Sequence, residues 1–335
     1  MASILKRIFG NGDVDTAPAA PSAKPVTPAT PGAVKIEYTS DSITDAVIDQ
    51  MSTTPDPRLR QIMAAAVRHL HAFAREVNLT PGEWIKGIEF VTKVGQMSSP
   101  ARQEVILLSD TLGLSTLINT MHDKTAVEEA TQTSLLGPFF RENVPVMAPG
   151  EQIAKHDKSG DLVLYGVVRD KRGQPLANAR VDVWQTDSHG LYDMQVDANS
   201  IDCRGAFMTD ANGNYLLRVV RPLGYSIPMD GPVGAMVTAQ KRHGMRPAHI
   251  HFLISSPGFR EMVTALYLAD DVHLADDCVF GAHGDLVVAI VDNQPGCPIP
   301  NAQSIRFDFE LSIESQADKL GGRVGGDPSK IAAPA

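Results

Sequence analysis

The stretch Leu162-Val-Leu-Tyr-Gly-Val-Val168, closed by Asp170-Lys-Arg-Gly173, decides how this chain is read. A short apolar run that ends at an Asp/Gly turn reads as a buried strand. Downstream the pattern repeats. Residues Ala179–Trp184 alternate, Asp210-Ala-Asn-Gly213 is a second turn before Tyr215–Val220, and His249–Ile254, Glu261–Leu268 and Ile305–Leu311 complete the set. Many short strands with Gly/Asn turns imply an antiparallel β-sandwich.

Upstream the period changes. In Leu59–Val77 the apolar positions Leu59, Ile62, Met63, Ala66, Leu70, Phe73 and Val77 recur at three and four, the spacing of one helix face. Thr80-Pro81-Gly82-Glu83 reads as a helix start, with Thr80 capping and Glu83 closing a capping box. Ala101–Met121 reads as one further helix, with Asp110 amid its apolar residues. Residues 10–35 are rich in Ala, Pro, Thr and Gly, and the end of the chain from Gly321 is similar. Such segments bury too little surface to offset their ordering entropy. The expected organisation is a disordered leader over 1–38, a helical domain over 39–134, a β-sandwich over 135–315 and a flexible tail over 316–335. The fold class is mainly β with a helical N-terminal domain.

Composition narrows the function. Of 335 residues 43% are hydrophobic and 21% charged, as in a globular protein. The net charge of −9 gives no general attraction to nucleic acid or anionic lipid. No stretch is long enough to cross a membrane. Cys203, Cys278 and Cys297 are too scattered for a disulfide framework or a zinc cluster. A cytoplasmic enzyme is the expectation.

The chemistry begins at Arg246-Pro247-Ala248-His249-Ile250-His251-Phe252. Side chains two apart on a strand share a face, so His249 and His251 project together, and paired neutral imidazoles are a common metal-binding device. A His-x-His pair more often simply faces water on an exposed strand. Two tyrosines sit in loop-like settings, Gly190-Leu191-Tyr192-Asp193 and Gly224-Tyr225-Ser226-Ile227-Pro228. Phenolate is a hard donor suited to a hard ferric ion; the bland reading is two half-buried turn tyrosines.

Taken together, these motifs resemble the intradiol dioxygenases, the family of catechol, chlorocatechol and hydroxyquinol 1,2-dioxygenases. The resemblance runs through Leu136-Gly137-Pro138-Phe139-Phe140, Gly166–Asp170, Gly173–Ala179, Val183-Trp184-Gln185, Gly190-Leu191-Tyr192, Asp202-Cys203-Arg204-Gly205, Tyr225–Pro228 and Arg246–His251. Residues 55–130 resemble the helical linker through which these enzymes dimerise. The resemblance implies a mononuclear non-haem Fe(III) with Tyr192, Tyr225, His249 and His251 as ligands, and a homodimer. It implies that an aromatic diol displaces Tyr225, that the released bases take its protons, and that O2 attacks the ring to give a ring-cleaved diacid. Arg246 would stabilise the developing negative charge; its bland reading is a surface salt bridge.

Three features of the resemblance point to hydroxyquinol. Leu107 and Asp110 lie one turn apart on a helix, and a carboxylate there needs a partner, which a third ring hydroxyl or a group of the protein could supply. Ile227-Pro228 and Cys278-Val279-Phe280-Gly281 resemble the hydroxyquinol branch. The expected substrate-binding residues are therefore Leu107, Asp110, Leu136, Gly137 and Pro138, with Phe139, Ile227, Pro228, Ala265 and Val279. One position departs from the family. Ala265 stands where a Gln or His is usual, and it has no side-chain hydrogen bond to offer. The alternatives are an iron enzyme for another substituted catechol, a zinc or copper site made by the histidines alone, and a transthyretin-like sandwich module that only binds.

Overall fold

The computed structural model describes residues 37–314 apart from 100, 101, 126–129, 143 and 198. The expected tail, and the expected leader except its last two positions, lie outside the described residues. The chain divides into two compact units between Glu89 and Phe90, inside a helix.

The N-terminal unit is helical. Helix α1 (Ile43–Gln50) packs on α2 (Pro57–Glu76), and α3 (Pro81–Met97) begins in this unit. The Asp56 carboxylate starts α2 by accepting from the N–H groups of Arg58 at 2.8 Å and Leu59 at 3.1 Å, with Pro57 in the first position. The capping box read at Thr80 is present, with Thr80 N–H donating to Glu83 Oε2 at 2.9 Å and Glu83 N–H donating to Thr80 Oγ1 at 3.3 Å.

The second unit opens with the remainder of α3. The single helix expected over 101–121 is two, α4 (Glu104–Thr111) and α5 (Leu114–Thr125). Gly113 breaks it with φ +73°, a conformation that glycine adopts without a Cβ clash.

The strands follow: β1 (Leu162–Asp170), β2 (Arg180–Gln185), β3 (Arg204–Met208) and β4 (Asn214–Val219). Then come β5 (Tyr225–Ser226), β6 (Met245–Arg246), β7 (His249–Ser255) and β8 (Met262–Leu268). The last are β9 (Val287–Val288), β10 (Val291–Asp292), β11 (Gln303–Arg306) and β12 (Phe309–Leu311). Helix α6 (Asp193–Val196) precedes β3, and α7 (Pro232–Ala239) lies between β5 and β6. One five-stranded sheet runs β10-β11-β1-β12 with β4 also on β1, and the other runs β3-β2-β7-β8-β9. Leu164, Leu217 and Phe309 of the first meet Val183, Phe252 and Leu266 of the second in one apolar core.

The sheets are mixed, which corrects the antiparallel sandwich. β1 pairs in parallel with β11 and β12, and β8 in parallel with β9. Turn residues signal only hairpins between neighbours in sequence. A strand that returns to β1 from the far end of the domain leaves no such mark. The stretch read as one strand over 305–311 is interrupted where Phe307 crosses Gly166. A Cβ at Gly166 would run into the Phe307 carbonyl, so the crossing requires a residue without one.

Candidate metal centre

β7 sits between β2 and β8, and its alternation sorts the side chains. Ile250, Phe252 and Ile254 enter the shared core. His249 and His251 point to the opposite face, as the spacing predicts. Trp184 of β2 and Ala265 of β8 flank His251 in register, and Tyr267 stands opposite His249. The Trp184 ring lies on His251, with centroids 4.9 Å apart and planes within 4°.

The two imidazoles converge, with Nε2 atoms 3.1 Å apart. His249 Nδ1–H donates to the Pro247 carbonyl at 2.7 Å, which turns the Nε2 lone pair inward. Burial first, and then the Arg246 charge, holds the His249 pKa well below the usual value. Burial, then His249 and Arg246, does the same to His251. Both rings are therefore neutral donors near pH 7.

Both tyrosines come to the same point. Tyr192, 0% exposed, meets Tyr225 edge to face at 5.5 Å, and Tyr225 stands 5.7 Å from the His249 ring. Burial, then the neighbouring Tyr225, pushes the Tyr192 phenol well above the usual value. Its hydroxyl lies beside Tyr225 yet makes no hydrogen bond of good geometry among the described residues. A phenol oxygen buried without a partner is costly unless a cation takes the place of the missing donor. Two nitrogens held roughly 2 Å from one ion lie about 3 Å apart, which matches the imidazole spacing. Phenols and imidazoles together suit iron better than zinc or magnesium. The donor set fits a ferric ion.

Arg246 is 3% exposed, so the surface reading does not apply to it. Its Nη1 donates to His249 Nε2 at 3.2 Å and reaches Tyr225 Oη at 3.5 Å. Burial opposes its charge, but Asp277, Tyr225 and Tyr267 outweigh that and hold it cationic. Asp277 accepts Arg246 Nε at 3.2 Å and Nη2 at 3.3 Å, and it also takes the N–H of Gly281 at 3.0 Å and of Ala282 at 3.1 Å. The Tyr267 hydroxyl accepts Arg246 Nη2 at 3.3 Å. Sequence reasoning missed Asp277 and Tyr267. A faint signal for Asp277 was its place directly before Cys278-Val279.

A second clamp holds the tyrosine side, and it too was missed. Arg204 and Asp193 form a buried ion pair, with Arg204 Nε donating to Asp193 Oδ2 at 2.7 Å and Nη1 to the Phe139 carbonyl at 2.9 Å. Asp193 follows Tyr192 directly, and the Phe139 ring stacks on Tyr192 at 4.2 Å. One guanidinium thereby positions both rings.

The expected substrate residues fall into groups. Leu136 and Phe139 pack with the two tyrosines and Trp184. A Cβ on Gly137 would stand 3.7 Å from the His251 ring, so the backbone passes close over it. Pro138 and Pro228 are half-buried. Leu107, Ile227 and Val279 form one apolar cluster. Asp110 is 6% exposed, and burial pushes its carboxyl up to about 6 against the pull of the Ser115 hydroxyl and the Arg246 charge. Ala265 is fully buried beside His251. A cleft of about 480 Å³ opens elsewhere, lined by Thr116, Asn119, Arg260 and His283 among others. It meets the Arg246 network through Ser134 and Gly281, and none of the four donors lines it.

Residues 135–313 match the dioxygenase family model, and residues 56–130 match the model of the catechol dioxygenase N terminus. The chain belongs to the intradiol dioxygenase family. It is 40% identical to a hydroxyquinol 1,2-dioxygenase of Rhodococcus opacus, over 81% of this chain and 92% of that enzyme. It is 40% identical to a 6-chlorohydroxyquinol 1,2-dioxygenase of Cupriavidus pinatubonensis, over 82% of this chain and 98% of that one. The solved hydroxyquinol 1,2-dioxygenase of Pseudomonas putida DLL-E4 superposes with a TM-score of 0.75 at 40% identity, covering 82% of this chain and 99% of that structure. This chain is thus an intradiol ring-cleaving dioxygenase. The binding-module alternative falls with that match.

Proposed function

We propose that this dioxygenase cleaves hydroxyquinol, benzene-1,2,4-triol, between its adjacent hydroxyls at a mononuclear Fe(III) held by Tyr192, Tyr225, His249 and His251. The observation that carries the reading is the convergence of two phenols and two neutral imidazoles on one buried point beside a cationic arginine. A ferric ion held there would supply the electron withdrawal that opens the ring of a bound diol to O2. The names of relatives 40% identical support the triol as substrate.

The chain's own groups do the rest. Tyr225, which would hold the ion as phenolate, would take one proton from the diol at Oη, and Arg246 Nη1 stands 3.5 Å from that oxygen to hold it. Arg246, fixed by Asp277 and Tyr267, faces the negative charge that grows on the ring and on the attacking oxygen. Trp184 and Phe139 pack on His251 and Tyr192, limit the freedom of those donors and exclude water. Asp110 accepts the third hydroxyl, while Leu107, Ile227 and Val279 line the apolar side of the ring. Ala265 leaves room that a Gln or His would fill.

A homodimer and a cytoplasmic location belong to the same proposal; three free cysteines support the location. The test is O2 uptake by iron-loaded enzyme over a panel of diols, with mass analysis of products. Hydroxyquinol should consume O2 mole for mole and yield a ring-opened diacid that retains all six carbons. A product opened outside the diol pair, or no uptake with any diol, would overturn the proposal.

A further inference from the structure

Three side chains outside the site meet where the chain enters β6. His243 Nε2 lies 3.0 Å from Asp276 Oδ2, and His273 Nδ1 lies 3.1 Å from Asp276 Oδ1. The two rings are 5.1 Å apart. One nitrogen from each imidazole and one carboxylate oxygen all fall within 4.8 Å of one another. Donors arranged tetrahedrally at the usual zinc distance stand roughly 3.3 Å apart, so small rotations would gather these three. Two imidazoles with one carboxylate suit zinc and its neighbours, and not calcium or magnesium. The side chains are 41%, 26% and 55% exposed for His243, His273 and Asp276. That leaves an approach for the ion and a position for water.

The loop that carries His273 and Asp276 has a second feature. It grips the segment leading into β7 at successive points. Asp271 Oδ2 accepts the Ala248 N–H at 2.9 Å, Asp277 holds Arg246, and Asp276 faces His243. His243 Nδ1 accepts the Met245 N–H at 3.1 Å, so the neutral ring carries its proton on Nε2 toward Asp276. Coordination through Nε2 moves that proton to Nδ1 and releases the Met245 N–H, one residue from Arg246.

We propose that His243, His273 and Asp276 form a second metal site, for a divalent transition ion of the zinc class, that ties loop 271–277 to β6 and steadies the Arg246–Asp277 pair. The site stands apart from the four iron donors and does not depend on the substrate assigned to them. Occupancy gives the loop a fixed point beside Asp277, where the present contact is a partly exposed hydrogen bond between His243 and Asp276.

Zinc binding to the iron-loaded enzyme tests this, by equilibrium dialysis against micromolar zinc and elemental analysis of both metals. The wild type should take up one zinc per chain and keep its iron. The His243→Gln/His273→Gln variant should keep its iron and take up none, and Asp276→Asn should weaken zinc binding by at least about tenfold. Zinc should slow amide exchange across loop 271–277, quicken it at Met245, and do neither in the variant. If the double variant does not fold, His273→Gln alone should show the loss. Equal zinc uptake by wild type and variants, zinc gained only as iron leaves, or no uptake by the wild type would each overturn the proposal.

Discussion

A carboxyl group 6% exposed on an apolar helix needs a partner, and Asp110 titrates near 6 because burial outweighs the neighbours that favour its charge. If it accepts a hydrogen bond from a third ring hydroxyl, Asp110→Ala should lower hydroxyquinol turnover about ten- to a hundredfold, the worth of roughly 1.5–3 kcal/mol. Catechol turnover should change little. The preference for hydroxyquinol should rise with pH through about 6 as Asp110 ionises. Stability should move the other way. A raised folded pKa means the contribution of Asp110 is full below its ordinary value and lost as pH rises through about 6. Equal kinetic losses for both diols would make Asp110 structural. Ala265 tests the neighbouring space. Ala265→Gln should block hydroxyquinol and spare catechol, because the added amide would project beside His251 from a position with no exposed surface. A Gln variant faster on every diol would contradict this. The histidines and tyrosines were singled out by the family resemblance, since spacing and loop settings alone favoured exposed histidines and half-buried turn tyrosines. Asp277 and Tyr267 were not, since each meets Arg246 only after the chain has folded back on itself.

At the scale of elements, period two in β7 made its two faces readable, and those faces separate core from site. The parallel partners of β1 and β8 were illegible, because nothing local marks a strand that pairs across a long connection. The link from β3 to α6 was equally hidden, although Arg204 and Asp193 are close in sequence. Both groups are buried, and removing Arg204 leaves the Asp193 charge only the longer contact to Arg141 Nη1 at 3.8 Å. Arg204→Met should destabilise the fold by about 3–5 kcal/mol in denaturant unfolding and loosen iron through Tyr192. Arg204→Lys should restore part of the stability, since it keeps the charge but not the paired contact. A change below about 1 kcal/mol for Arg204→Met would show that the pair is no clamp.

The whole molecule raises the question of assembly. In the N-terminal unit Leu70, Phe73, Trp84 and Ile88 are each at least half exposed, more apolar surface than a helical face in water usually shows. We propose that a second copy covers it. Sedimentation should find a dimer at micromolar concentration, and Leu70→Asp with Phe73→Asp should shift it to monomer; a fully active wild-type monomer would contradict that. A ferric ion held by two tyrosinates and two histidines is tested by metal analysis and visible absorption of the purified enzyme during anaerobic addition of hydroxyquinol. The expected result is iron equimolar with chain, a visible tyrosinate band that shifts as the diol binds, and a band altered or bleached in Tyr192→Phe and Tyr225→Phe. A colourless, zinc-loaded protein that still cleaves the diol would contradict it.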